Sequence, residues 1–151
     1  MNAETRILLI EDDHLQALAI QSGLRDLLKR DFPDLVFVPL STESEFYAKF
    51  DDAVAMGFDL AIIDVMLRWA DPSPDMKEPP PEVLEGGFFR AGIRCRNKLQ
   101  YDPRTSAIPT IICTVLDENQ LPPGIEVVSK GGDFAPLADR IRRLLPATPR
   151  P

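Results

Sequence analysis

The chain has 151 residues, 44% of them hydrophobic and 27% charged, which predicts one globular domain with a core large enough to fold alone. Its net charge of −7 and pI near 4.7 argue against nucleic-acid binding, which needs clustered Lys and Arg. No apolar stretch approaches the roughly 20 residues that span a bilayer, and residues 1–5 do not resemble a signal peptide, so we expect a cytoplasmic protein without a membrane partner.

The first strand is predicted at residues 7–10, an apolar run that ends in the carboxylates Glu11, Asp12 and Asp13. Three adjacent carboxylates repel one another unless a cation or solvent compensates, and their hard oxygen atoms suit Mg²⁺. An acidic turn at a helix N-terminus is the simpler alternative. The one histidine, His14, is interpreted as a surface residue, so we expect no histidine-based catalytic triad.

Apolar residues recur at helical spacing over residues 17–30, which predicts an amphipathic helix. A second strand is predicted at residues 35–40, where Pro39 favours a sheet edge or a strand end. Residues 42–45, Thr-Glu-Ser-Glu, have the form of a capping box and predict a second helix that ends near Gly57.

Residues 58–67 form a third apolar run, which carries the carboxylate of Asp64 towards its end. The run predicts a strand that is buried on both faces of a parallel sheet. Ligands of such sheets bind outside the carboxyl ends of the strands. We therefore interpret Asp64 as a chemically active group.

Residues 68–85 differ from the rest of the chain because five prolines crowd into ten positions. We expect neither a regular helix nor a regular strand here. A solvated loop is one interpretation. The other is a lid or partner-docking loop, because the segment leaves directly from the Asp64 edge and begins with Arg68 and the only tryptophan, Trp69.

A third helix is predicted from Gly86, with an apolar face that includes Phe88 and Phe89. Its basic residues are interpreted as a solvated outer face; they are Arg90, Arg94, Arg96 and Lys98. Two cysteines, Cys95 and Cys113, have no CxxC spacing, which favours structural thiols in a reducing compartment over a disulfide or a zinc site.

Two more buried strands are predicted at residues 108–114 and 125–128. The ten residues between them include two prolines and leave room for at most a turn or two of helix. Asp133 is predicted to cap the last helix, and the tail at residues 147–151 is not expected to be ordered.

Five strands alternating with helices predict a doubly wound parallel sheet whose strand carboxyl ends share one edge. That edge collects carboxylates, a hydroxyl and an ammonium group, from Glu11, Asp12, Asp64, Thr114 and Lys130. Such a set can hold a divalent cation on its carboxylates, leave one carboxylate free to attack, and supply a hydroxyl donor and an ammonium group.

The order of these motifs resembles the receiver domain of bacterial response regulators. The matching stretches are residues 7–13, 59–67, 108–114 and 127–130. The resemblance implies a flavodoxin-like sheet with strand order 2-1-3-4-5. It also implies one receiver domain over residues 1–146, with residues 68–85 as a proline-rich insertion.

The resemblance implies a role for each residue at this edge. Asp64 matches the phosphoacceptor, while Thr114 and Lys130 match the groups that bind the phosphoryl oxygens and switch the domain. The matching ligands of Mg²⁺ are Glu11, Asp12, Asp64 and the backbone carbonyl of Met66. Two departures stand out: Arg68 occupies the place of a usual proline, and the helix between the fourth and fifth strands is short or missing.

We therefore expect a stand-alone receiver, not an enzyme, that a histidine kinase or histidine phosphotransfer protein phosphorylates and that signals through a downstream protein. Homodimerisation stays open, and Arg68 and Trp69 are candidates for contact with a partner. One alternative is a degenerate receiver, a binding module that acts without phosphorylation. Another is a small phosphohydrolase with an aspartyl nucleophile, which is weakened because Met66 stands where a second acid would be needed. A nucleotide-binding switch is weaker still, since the sequence has no phosphate-binding glycine loop.

Overall fold

The chain forms a parallel sheet with helices on both faces, in a computed structural model that describes residues 4–75, 78–87, 90–116 and 118–146. The strand order is β2-β1-β3-β4-β5, which confirms the predicted doubly wound α/β class and the 2-1-3-4-5 order. The strands are β1 Thr5–Ile10, β2 Leu35–Leu40, β3 Leu60–Ile63, β4 Thr110–Thr114 and β5 Glu126–Ser129.

The described residues form five α-helices: α1 His14–Leu28, α2 Glu43–Met56, α3 Pro81–Gly86, α4 Ala91–Tyr101 and α5 Ala135–Leu144. The predicted capping box starts α2: the Thr42 hydroxyl accepts a hydrogen bond from the Glu45 N–H at 3.2 Å. The Glu45 carboxylate in turn accepts from the Ser41 N–H at 2.8 Å, one residue before the usual partner. The box leaves the Glu43 side chain free for another role.

Two apolar cores lie on opposite faces of the sheet. Alternate residues of β1 supply both: Ile7 and Leu9 pack with α1 and α5, whereas Leu8 and Ile10 pack with α2 and α4. Burial on both faces explains why the central strands are continuous apolar runs. The edge strand β2 carries the exposed Pro39, as predicted, because a proline lacks the N–H that an inner strand needs.

The proline-rich segment contains a helix that the sequence argument excluded, so that expectation is wrong. Residues 81–86 form the short helix α3, with Pro81 in its first turn. A proline is tolerated there because the first N–H groups of a helix have no partner within the helix. The helix ends at Gly86, and the following cap residue, Gly87, has a φ of +67°, a left-handed conformation that glycine adopts easily.

The third predicted helix is present as α4, but it begins at Ala91 instead of Gly86. Its apolar face packs on the sheet through Ile93, Cys95 and Leu99. Phe88 and Phe89, which were assigned to the same face, lie outside the described residues. Gly86, the predicted first residue, instead ends α3, and Gly87 caps that helix.

Between β4 and β5, the described residues contain one helical piece, the single 3₁₀ turn Glu118–Gln120, which agrees with the predicted short connection. The last helix begins at Ala135, whose N–H donates to the Asp133 carboxylate at 2.9 Å. The tail at residues 147–151 lies outside the described residues. None of the described helices is long and apolar enough to cross a bilayer.

Candidate functional site

The register of the sheet brings the carboxyl ends of its strands to one edge. Ile10 of β1 pairs with Ile63 of β3, so the residues that follow them are neighbours. The Asp64 N–H donates to the Ile10 carbonyl at 3.0 Å, and the Lys130 N–H donates to the Thr114 carbonyl at 2.8 Å. These bonds continue the ladders past the strands and hold Asp64 and Lys130 in place.

Three carboxylates converge at this edge, those of Glu11, Asp12 and Asp64. Each offers one oxygen atom, and the three atoms lie within 4.8 Å of one another. Glu11 and Asp64 are buried, while the Asp12 side chain keeps 21% of its surface exposed. Because oxygen ligands lie roughly 2.0–2.6 Å from Mg²⁺ or Ca²⁺, one such cation can contact all three.

Lys130 connects two of these carboxylates. Its ammonium group donates to Glu11 Oε1 and to Asp64 Oδ2, the latter at 3.0 Å. Burial lowers the pKa of Lys130, but the hydrogen bond to Glu11 and the charge of Asp64 outweigh burial, so the net pKa is raised. The lysine therefore stays a cation beside Asp64.

Glu11 is the least satisfied acid of the cluster. Burial and the neighbouring carboxylate of Asp64 raise its pKa from 4.5 to about 7, against the opposing effect of Lys130. Its Oε2 atom is buried and has no hydrogen-bond partner among the described residues. A buried oxygen without a partner is costly, and a bound cation would satisfy it. The donor set, three carboxylates with one orphaned oxygen, thus fits a divalent metal ion.

Asp64 is held by the backbone as well as by Lys130. Its Oδ1 accepts a hydrogen bond of 3.3 Å from the N–H of Met66, two residues further on. Below it, the Gly92 N–H of α4 donates to the Val65 carbonyl at 2.8 Å. A Cβ atom on Gly92 would overlap the Asp64 carbonyl oxygen and lie 2.7 Å from the Val65 Cα. Glycine at this position lets α4 approach the end of β3.

Thr114 ends β4 on the same edge and is fully buried. Its hydroxyl oxygen accepts a hydrogen bond from the Leu116 N–H at 3.2 Å, within the loop that follows. The hydroxyl is thus engaged with its own loop, and Thr114 stands one strand away from Asp64.

Sequence reasoning noted Arg68 but missed its contact at this site. The Arg68 N–H donates to Asp12 Oδ2 at 3.1 Å, and the guanidinium nitrogen Nε lies 3.6 Å from the same oxygen. A second guanidinium nitrogen donates to the Asp12 carbonyl at 3.0 Å. The sequence shows a charged residue, Arg68, four positions after Asp64. It does not show the partner of Arg68, because Asp12 is 56 positions away in sequence.

The basic face of α4 was interpreted as solvated, and this is wrong for Arg94. Its guanidinium donates to both oxygens of Glu43, at 2.7 and 2.8 Å, and to the Gly87 carbonyl at 2.8 Å. Glu43 is fully buried and also accepts from the Tyr47 hydroxyl at 2.8 Å. Salt bridge and hydrogen bonds together join the start of α2 to α4.

A comparison with models of protein families finds no match, and neither does a comparison with curated proteins. Among solved structures, the bacteriophytochrome response regulator AtBRR is 16% identical over 99% of both chains, with a TM-score of 0.64. The phosphorylated cyanobacterial phytochrome response regulator RcpA is 16% identical over 93% of this chain and 91% of its own, with a TM-score of 0.59. The Mn²⁺-bound form of response regulator Rcp1 is 15% identical over 97% of this chain and 99% of its own, with a TM-score of 0.58. The chain therefore has the fold of response-regulator receiver domains.

Proposed function

We propose that this chain is a receiver that takes a phosphoryl group onto Asp64 and signals in a phosphorelay. The observation that carries the proposal is the buried cluster at the strand ends, where Asp64 lies between acidic oxygens and the ammonium of Lys130. A carboxylate beside a cation can act as the nucleophile. The remaining carboxylates can bind a cation that offsets the negative charge of the incoming phosphoryl group. The receiver fold supports this use of the cluster.

Mg²⁺ is the cofactor we propose, held by Glu11, Asp12, Asp64 and the backbone carbonyl of Met66. When bound, it would neutralise the charge that builds up between the carboxylates and the phosphoryl oxygens. The solved structure of Rcp1 was determined with Mn²⁺ bound. For this chain, the orphaned oxygen of Glu11 supports a divalent cation at the cluster.

The phosphoryl donor we propose is a phosphohistidine of a histidine kinase or a histidine phosphotransfer protein. A carboxylate oxygen of Asp64 attacks the phosphorus atom, so that an O–P bond forms and the P–N bond breaks. The electron pair of that bond returns to the imidazole nitrogen of the donor. Lys130 then transfers its hydrogen bond from Asp64 to an oxygen of the bound phosphoryl group, and Thr114 rotates its hydroxyl to donate to another. The product is an aspartyl phosphate, and the output is a protein contact.

A second candidate is a degenerate receiver, a module that binds its partner without phosphorylation. The ion pair between Arg68 and Asp12 favours it, because Arg68 already neutralises one of the proposed metal ligands. The two candidates differ in a single observable, which is whether Asp64 can be phosphorylated.

Intact-mass measurement after incubation with acetyl phosphate and Mg²⁺ tests the proposal. We expect a gain of about 80 Da, the mass of one phosphoryl group, which disappears in Asp64→Asn and in EDTA. Asp59→Asn is the matched control, because Asp59 lies beside the opposite end of β3, where it accepts from the Arg6 N–H at 2.9 Å. An equal gain in Asp64→Asn would show that Asp64 is not the acceptor. No gain in the wild-type chain, with either acetyl phosphate or phosphorylated histidine phosphotransfer proteins as donor, would favour the degenerate receiver.

A further inference from the structure

Arg68 pairs with the most exposed acid of the metal cluster through both its backbone and its side chain. The backbone N–H holds Asp12 Oδ2 at 3.1 Å, and the guanidinium reaches the same oxygen and the Asp12 carbonyl. The cluster therefore contains two cationic side chains, Lys130 on its buried side and Arg68 on its exposed side. Lys130 contacts Glu11 and Asp64, so each of the three acids has one cationic partner within the chain.

We propose that Arg68 is a built-in competitor of the divalent cation: its guanidinium neutralises Asp12, and metal binding displaces it. The inference rests on the proposed function, since it concerns the same metal site. A divalent ion at Asp12 repels the guanidinium beside it, and Arg68 is free to move away because its side chain is exposed, whereas that of Lys130 is largely buried. Arg68 thereby sets the metal concentration at which the site fills.

The surroundings allow this displacement. The Arg68 side chain is 51% exposed, so its guanidinium can return to solvent at little cost. A second acceptor is close, because Asp71 lies 3.8 Å from a guanidinium nitrogen and is itself 70% exposed. The guanidinium can therefore turn from Asp12 to Asp71 while its backbone stays in place.

The backbone that carries Arg68 is anchored to the start of α2, so only the side chain needs to move. The carbonyls of Arg68 and Trp69 accept hydrogen bonds from the first N–H groups of α2, those of Glu43 at 2.9 Å and Ser44 at 2.8 Å. The Trp69 ring lies 6.0 Å from the ring of Tyr47, centroid to centroid. The segment that carries Arg68 thus caps α2, and Trp69, the only tryptophan, reports on its position.

Titration with Mn²⁺, followed by the electron paramagnetic resonance signal of the free ion, tests the proposal without any phosphoryl chemistry. We expect Arg68→Gln to bind Mn²⁺ about three- to tenfold more tightly than the wild-type chain, because an exposed ion pair and a nearby positive charge are both removed. Arg68→Lys, which keeps the charge but loses the planar donor group, should fall between the two. Arg104→Gln is the matched control: Arg104 is also 51% exposed and paired with carboxylates, Asp51 and Asp102, and we expect less than about a twofold change.

Either of two results would overturn the proposal. Equal affinity of Arg68→Gln and Arg104→Gln would show that Arg68 does not compete, and weaker binding by Arg68→Gln would show that Arg68 positions Asp12 for the metal. Circular dichroism checks that the variants fold; the backbone N–H and carbonyl of residue 68 are unchanged by the substitution. If the affinities do not differ while the wild-type chain still gains the phosphoryl mass, the competitor role alone fails. If the wild-type chain and Arg68→Gln neither bind Mn²⁺ nor gain that mass, the proposed function fails as well.

Discussion

Two buried glutamates, Glu11 and Glu43, have nearly the same exposure and very different surroundings. Glu43 is completely buried, and both its oxygens accept hydrogen bonds, two from Arg94 and one from Tyr47. Glu11 is 3% exposed; Lys130 holds one of its oxygens, and the other has no partner among the described residues. One carboxylate is fully paired by the protein, whereas the other has an unused oxygen.

The difference separates a structural ion pair from a candidate binding site. A buried charge is tolerated when its partners satisfy it completely, as Arg94 and Tyr47 do for Glu43. The hydrogen bond to Glu43 also raises the pKa of Arg94, so Arg94 stays charged. At Glu11, burial and the nearby Asp64 raise the pKa to about 7, and Lys130 offsets them only in part. We infer that the first pair fixes the geometry between α2 and α4, while the second cluster is arranged to receive a cation.

The largest effect is expected from breaking the satisfied pair. Arg94→Ala leaves the fully buried carboxylate of Glu43 without its cation, and we expect a loss of about 3–5 kcal/mol in the free energy of unfolding. Urea denaturation measures it. Arg104→Ala, which removes an exposed arginine from two ion pairs, is the control and should cost less than about 1 kcal/mol. A loss below about 1 kcal/mol for Arg94→Ala would mean that Glu43 is not held as a buried anion.

Glu11, which has an oxygen without a partner among the described residues, should make the free energy of unfolding depend on pH. Between its ordinary pKa of 4.5 and its folded pKa of about 7, Glu11 binds more protons in the folded chain than in the unfolded one, so its contribution to stability falls as pH rises. Glu11→Gln has no proton to lose. Relative to the wild-type chain, it should therefore gain up to about 3 kcal/mol in the free energy of unfolding between about pH 5 and about pH 8.

Urea denaturation in EDTA at the two pH values gives this difference without interference from metal ions. Glu82→Gln, which makes the same change at an exposed residue of α3, is the matched control and should alter the free energy of unfolding little. If the difference in the free energy of unfolding between Glu11→Gln and the wild-type chain were the same at both pH values, Lys130 would be a sufficient partner for Glu11. The contrast between Glu11 and Glu43 would then disappear.

The sequence predicted the sheet and most of its functional edge because both depend on local patterns. Apolar runs identify the buried strands, and parallel topology then places Glu11, Asp64 and Lys130 together without knowledge of any contact. The ion pairs of Arg68 and Arg94 were not predicted, because each joins residues more than 50 positions apart. An arginine on a helix or loop is usually solvated, so composition gives no sign of a buried partner. The helix α3 was not predicted, because six residues are too few to show a helical repeat of apolar positions.

Gly92 links the two regions, because α4 carries both Gly92 beneath Asp64 and Arg94 beside Glu43. In Gly92→Ala, the added Cβ would overlap the Asp64 carbonyl and crowd Val65, and backbone atoms cannot rotate away as a side chain can. We expect a loss of about 1–3 kcal/mol in the free energy of unfolding, measured in urea, although alanine favours a helix more than glycine does. Gly132→Ala, where an added Cβ meets nothing within 4 Å, is the control and should be near neutral. If Gly92→Ala left the free energy of unfolding unchanged, the end of β3 would be able to move away from α4. The geometry of Asp64 would then not depend on α4, the helix that the ion pair between Glu43 and Arg94 anchors.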